Sequence, residues 1–234
     1  MVEACKVFEW LTFSLIFLAL WLVVFAARQP LRKKMLLVSA VTSLMGFLEP
    51  VFVPAYWTPP SLFDLAAKTR FDLESFIFLF AVGGIASILY EAILGGELQR
   101  VNNAKMYDRR RSLHLASILS TPIFFLLLLG FTRLNPIYSI SFALFVGGIA
   151  AILCRPDLTK NTWVGGLLFA GLYFLFFFLI TLAFPSFMKS WNLSALSGIL
   201  ILNVPLEEIM FAFTFGMVWS GGYEHILGYR LKKN

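Results

Sequence analysis

Residues 70–94, RFDLESFIFLFAVGGIASILYEAIL, return 133 positions later as a diverged copy inside Asn203–Tyr229. Without a gap, Leu73 falls on Leu206, Glu74 on Glu207, Phe78 on Phe211, Phe80 on Phe213 and Gly83 on Gly216. Ser87 then falls on Ser220, Tyr90 on Tyr223 and Glu91 on Glu224, and Ile-Leu closes both copies. Chance apolar similarity accounts for matched Leu and Phe. It does not account for carboxylates and a Tyr-Glu pair in register. Each copy holds an apolar run of about 20 residues, enough to cross roughly 30 Å of hydrocarbon as a helix. The chain therefore reads as a duplicated membrane-embedded unit.

Composition agrees. With 59% hydrophobic residues, 14% charged residues and a mean hydropathy of +0.83, the 234-residue chain has too much apolar surface for an ordinary soluble domain. Seven spans are expected, at about 7–27, 35–53, 72–94, 114–132, 136–154, 162–184 and 204–229. The first suits a retained span better than a cleaved signal peptide, because Glu3 and Lys6 precede a full-length apolar run.

The net charge of +6 gives no case for nucleic acid once the charges are located. Arg28, Arg32, Lys33 and Lys34 follow the first span; Arg100, Lys105, Arg109, Arg110 and Arg111 follow the third. Arg155 and Lys160 follow the fifth, and Arg230, Lys232 and Lys233 the last. The opposite side keeps Lys6, Lys68, Arg70, Arg133 and Lys189. Fourteen cations against five place the N-terminus outside and the C-terminus inside.

The expected fold is an all-α membrane protein forming a single membrane domain over residues 1–234. Two parallel three-helix repeats (about 7–94, spans 1–3, and about 136–229, spans 5–7) are joined by a linker helix at about 114–132. The linker restores parallel orientation, so a pseudo-twofold axis should run along the membrane normal with the binding region at the repeat interface. Cys5 and Cys154 fall on opposite sides in this topology, and no disulfide is expected.

Both outer loops are long and aromatic, Pro54–Phe63 in one and Pro185–Leu193 in the other. Their Trp57 and Trp191 read either as interfacial aromatics or as parts of a lid over an outward-opening pocket. Four acids share the outer depth: Glu49, Glu74, Glu207 and Glu208. An ionised carboxylate there is costly unless paired, wet or protonated, and no Lys or Arg shares the layer within the spans. Neutral acids in an apolar pocket are proton donors. The plainer account, helix-dipole complementation with Asn203 as N-cap, suits Glu74, Glu207 and Glu208. It does not suit Glu49, which lies toward the end of its helix before Pro50, where a break is expected.

Phe78 and Phe211 sit one turn below Glu74 and Glu207, where a ring face could stabilise positive charge. Tyr90 and Tyr223, each followed by a Glu, read as polar helix contacts or anchors, or as a second site. His114 and His225 are isolated and offer no metal spacing. No nucleotide, flavin or metal motif occurs, so no cofactor is indicated. A retinal photoreceptor would need a lysine in the last span, and residues 206–229 contain none.

The run Pro205-Leu206-Glu207-Glu208-Ile-Met-Phe211, followed by Tyr223-Glu224, resembles the signature of the integral-membrane lycopene cyclases of the bacterial heterodimeric and archaeal fused type. The duplication over nearly the whole chain resembles the fused arrangement. The first copy departs from the motif, reading Phe71-Asp72-Leu73-Glu74-Ser75 without the Pro and second Glu. The resemblance implies a cofactor-free, redox-neutral enzyme, an intramolecular lyase or isomerase that closes a ring on a linear carotenoid. Glu207 would be the proton donor, Glu74 or Glu208 its partner, and Glu49 a second acid or base. It implies a prokaryotic cell membrane, with lipid and an isoprenoid substrate as partners and a second copy of the chain as a candidate one. The competing reading is a non-catalytic carotenoid or lipid binder, or a transporter, of the same fold.

Overall fold

The computed structural model of the chain describes residues 8–100 and 104–232; Cys5, Lys6 and Lys233 lie outside them. Helix α1 (Glu9–Ala27) leads through a 3-10 turn (Gln29–Leu31) into α2 (Arg32–Ser43), a 3-10 stretch (Leu44–Leu48) and the short α3 (Glu49–Phe52). There follow α4 (Leu65–Thr69), α5 (Leu73–Leu94), strand β1 (Glu97–Arg100), α6 (Ala104–Phe131) and α7 (Pro136–Cys154). The chain ends with α8 (Thr159–Ala183), β2 (Leu200–Ile201), β3 (Val204–Pro205), α9 (Leu206–Leu227) and β4 (Tyr229–Lys232).

Among the described residues, six helical stretches are long and apolar enough to cross a membrane: Glu9–Ala27, Gln29–Phe52, Leu73–Leu94, Leu113–Phe131, Pro136–Cys154 and Pro156–Ala183. The seventh expected span forms as α9 but carries Glu207, Glu208 and Glu224, and is not among the six. Apolar side chains such as Leu15, Leu22, Leu126 and Leu167 remain exposed on these helices, as lipid-facing positions must be.

The chain is mostly helical, as expected, with two short antiparallel pairs beside the helices, β1 with β4 and β2 with β3. Two local expectations are corrected. Asn203 does not cap α9. With Leu202 it forms the two-residue turn of the β2–β3 hairpin, both at positive φ (48° and 66°), the geometry such hairpins require. Nor does Pro50 break its helix. It lies in the first turn of α3, where a missing N–H costs nothing, and the helix is tightened upstream at Leu44–Leu48. Glu49 thus opens a helical turn.

Two pairs of helices have equal lengths. Helices α5 and α9 each have 22 residues, and both start and end 133 positions apart. Each stops at a glycine of positive φ, Gly95 at 75° and Gly228 at 71°, the left-handed residue that ends many helices. Helices α1 and α7 each have 19 residues, and each leads into a Pro-containing 3-10 turn.

Two compact units share the chain. The first comprises residues up to Ile85, Asn135–Ile137 and Tyr173–Ile209; the second comprises Ala86–Leu134, Tyr138–Leu172 and from Met210 on. In the first unit, Thr42 on α2 donates to the Leu79 carbonyl of α5 at 2.9 Å, and Trp21 on α1 donates to Ser39 at 2.9 Å. In the second, Ser220 on α9 donates to the Asn161 carbonyl of α8 at 2.9 Å.

Glycine lets those last two helices touch. A Cβ at Gly216 would lie 2.8 Å from Phe169 Cβ and 3.0 Å from Gly166 Cα, so main chains would have to part. Gly216→Ala should therefore cost about 1–3 kcal/mol. Gly171→Ala on α8, where a methyl meets nothing within 4 Å, should be neutral or mildly stabilising. Thermal unfolding of the two detergent-solubilised variants checks the contrast, and equal midpoints would refute it.

Candidate active site

All four expected acids lie in the first unit and all are buried, Glu74 at 0% exposure, Glu207 at 1%, Glu208 at 4% and Glu49 at 7%. Their partners divide them into two kinds.

Glu74 and Glu207 hold loops. Glu74, in the first turn of α5, accepts the Leu62 backbone N–H at 2.7 Å through Oε1. Glu207, at the matching place in α9, accepts the Ser197 backbone N–H at 2.8 Å through Oε1. Each carboxyl group ties down the loop that precedes its own helix by accepting a backbone N–H.

Glu208 and Glu49 take their donors from aromatic side chains. Glu208 Oε1 accepts the Trp191 indole N–H at 2.7 Å and a short bond from the Tyr56 hydroxyl. Its Oε2 accepts the Tyr173 hydroxyl at 2.9 Å. Burial, and next the Glu208 charge, push the Tyr56 phenol well above its ordinary range, so Tyr56 stays a donor. Glu49 Oε1 accepts the Trp57 indole N–H at 3.0 Å. Among the described residues no ion pair reaches Glu49, Glu74 or Glu208.

The two loops before α5 and α9 bring these donors in. Trp57 and Trp191 form an antiparallel bridge, with Thr58 N–H on the Ser190 carbonyl at 2.7 Å and Asn192 N–H on the Tyr56 carbonyl at 2.8 Å. Consecutive residues Tyr56 and Trp57 thus serve two different acids. Trp191 is buried and Trp57 half-buried, and both indoles turn toward carboxylates rather than outward.

Between the acids lies a run of rings. Trp10 meets Trp57 edge-on at 4.9 Å and Phe78 at 4.8 Å; Phe78 meets Tyr173 at 6.1 Å and Phe177 at 6.2 Å; Phe177 meets Trp191 at 5.8 Å. Phe78, one of the expected aromatics, belongs to this run. Phe211, Tyr90 and Tyr223 belong to the second unit instead, where Phe211 packs on Phe215 and Tyr223 on Tyr229.

Four contributors escaped the sequence reading. Asp72, the residue before α5, accepts Ser75 N–H at 2.6 Å, Ser75 hydroxyl at 3.1 Å and Trp10 indole N–H at 3.2 Å. Burial pushes its carboxyl above the ordinary range, and it lies within electrostatic reach of Glu49. The Asp-x-x-Ser spacing is an N-cap signal that would have found it. Tyr56 was visible only as one aromatic in a loop. Nothing local marks Trp10 or Tyr173, which sit in apolar helices among many rings.

In the second unit, His114 and His225 are not isolated. Their ring centroids are 4.6 Å apart, and Cys154 joins them. An open, almost wholly apolar groove of about 560 Å³ is also found there, lined by Leu128, Leu134, Tyr138, Phe142, Phe145 and Met210 among others.

Residues 135–226 match the family described as lycopene cyclase. This segment is a lycopene cyclase family domain. It includes Tyr173, Trp191, Glu207 and Glu208, while Glu49, Tyr56, Trp57, Asp72 and Glu74 precede the match. Comparisons with curated proteins and with solved structures return no match.

Proposed function

We propose that the protein is a membrane-embedded carotenoid cyclase that closes a ring on the linear end group of a lycopene-type polyene by acid catalysis. The Glu208 cluster carries the reading: a buried carboxylate in the family-matched segment, held by Trp191, Tyr56 and Tyr173 beside a run of aromatic rings. Three donors fix the orientation of both carboxyl oxygens, which suits Glu208 to face a developing positive charge and to accept a proton from the cation. Glu49, with one indole donor and Asp72 nearby, is the proton donor. Glu207, the donor expected from the motif, has the same loop-holding bond as Glu74 and is assigned that role here.

The step balances without redox change. Glu49 adds a proton to the terminal double bond, leaving a tertiary cation. The next double bond attacks that cation, closing the ring and moving the charge along the chain. Glu208 then removes a proton from the adjacent carbon, so the product is an isomer of the substrate. Ring faces of Trp10, Phe78 and Phe177 stabilise the cation by up to about 2 kcal/mol each where water is excluded. The paired outer loops act as a lid that lifts to admit the polyene end.

The same reading takes α9 as a seventh span and the chain as two parallel repeats, with the N-terminus outside and the C-terminus inside a prokaryotic cell membrane. The matched lengths of α1/α7 and of α5/α9 support the repeats, and the cation bias supports the orientation. Co-expression in cells that accumulate lycopene tests the activity. Cyclic pigment is expected, and unchanged lycopene despite membrane insertion would refute it. The groove in the second unit favours a second reading, non-catalytic binding of an isoprenoid or acyl chain. That reading predicts pigment which co-purifies with the protein unaltered.

A further inference from the structure

We infer that His114, Cys154 and His225 form a binding site for a borderline-soft divalent metal ion, zinc before others. The three come from separate helices of the second unit: His114 from α6, Cys154 from the last residue of α7 and His225 from the last turn of α9. One ligand atom from each lies within 4.8 Å of the other two. The imidazole planes are tilted by 40° rather than stacked, so the rings do not simply pack face to face.

Burial makes the cluster more than a surface coincidence. Cys154 is 7% exposed and His225 3%, while His114 is half-buried and leaves the site approachable. Among the described residues, Nε2 of His225 is buried without a hydrogen-bond partner. Such a nitrogen is costly to leave unsatisfied, and coordination would satisfy it.

The donor set selects the ion. Two imidazoles and one thiolate suit zinc or cobalt and are poor ligands for magnesium or calcium, which want oxygen. Ligand atoms around tetrahedral zinc stand about 3.5 Å apart, so closure needs shifts of roughly 1 Å, most easily at the less buried His114. The neighbouring Arg155 does not oppose the ion at full strength. Its guanidinium donates to both Asp157 carboxylate oxygens at 2.8 and 2.7 Å, to the Glu224 carbonyl and to the Tyr229 carbonyl. Three protein ligands leave a fourth position for water, and the bound ion would clamp α6, α7 and α9 together.

The full-length protein, purified in detergent, tests this with zinc and cobalt alone. One zinc per chain is expected to survive dialysis, and cobalt in its place should give the charge-transfer absorption that only a thiolate ligand produces. X-ray absorption on the unmutated protein should show one sulfur and two nitrogens. Cys154→Ser should remove the charge-transfer band, and Cys154→Ser or His225→Gln should each weaken metal binding by more than about 100-fold, beyond the usual outer-shell effect. Cys5→Ser should change neither. Absence of retained metal, an all-oxygen shell, or a band that persists in Cys154→Ser would overturn the site.

Discussion

Replacing Glu208 by Gln should leave a folded, membrane-inserted protein whose ring formation is slower by about 10²–10⁴-fold, the usual range for a positioned acid or base. The substitution is isosteric. Its amide oxygen can still accept Trp191 N–H and the Tyr56 hydroxyl, while its NH₂ can donate to the Tyr173 oxygen, reversing one bond at 2.9 Å. What disappears is the charge that steadies the cation and the lone pair that takes the final proton. Pigment analysis in lycopene-accumulating cells, normalised to protein in the membrane, reads the effect. Near-normal cyclisation would remove Glu208 from the mechanism. Tyr173→Phe, which leaves two donors in place, should cost far less.

Glu49→Gln should be nearly as damaging, with the loss again about 10²–10⁴-fold, because an amide can hold Trp57 N–H but has no proton to give at the required strength. Asp72→Asn is the informative companion. Asparagine caps a helix about as well as aspartate, so α5 keeps its start and the Ser75 bond. Substantial activity in Asp72→Asn alongside inactivity in Glu49→Gln assigns proton donation to Glu49. The reverse pattern assigns it to Asp72, and full activity in both would leave the ring-closing step without its acid.

Helices were legible from the residues because apolar length and turn chemistry are local properties. Six of the expected spans start within three residues of α1, α2, α5, α7, α8 and α9, and Gly95 and Gly228 follow the ends of α5 and α9. Burial of Glu49, Glu74, Glu207 and Glu208 followed from the absence of cations at their depth. Their division of labour did not. Glu207 and Glu208 are neighbours in one turn, and only the fold reveals that one faces a loop amide and the other three aromatic donors. The Tyr56 bond to Glu208 spans 152 residues, a separation no motif encodes. The same limit hid the His114–Cys154–His225 cluster, assembled from three helices with no common spacing.

Ring closure in deuterated water, followed by mass spectrometry of the purified pigment, tests protonation itself. Glu49 exchanges its proton with solvent, so each ring formed should carry one deuteron on the carbon that received it, with otherwise unchanged composition. A cyclic product free of deuterium would contradict proton-initiated closure, and a product lighter than its substrate by two hydrogens would show that the reaction is not redox-neutral.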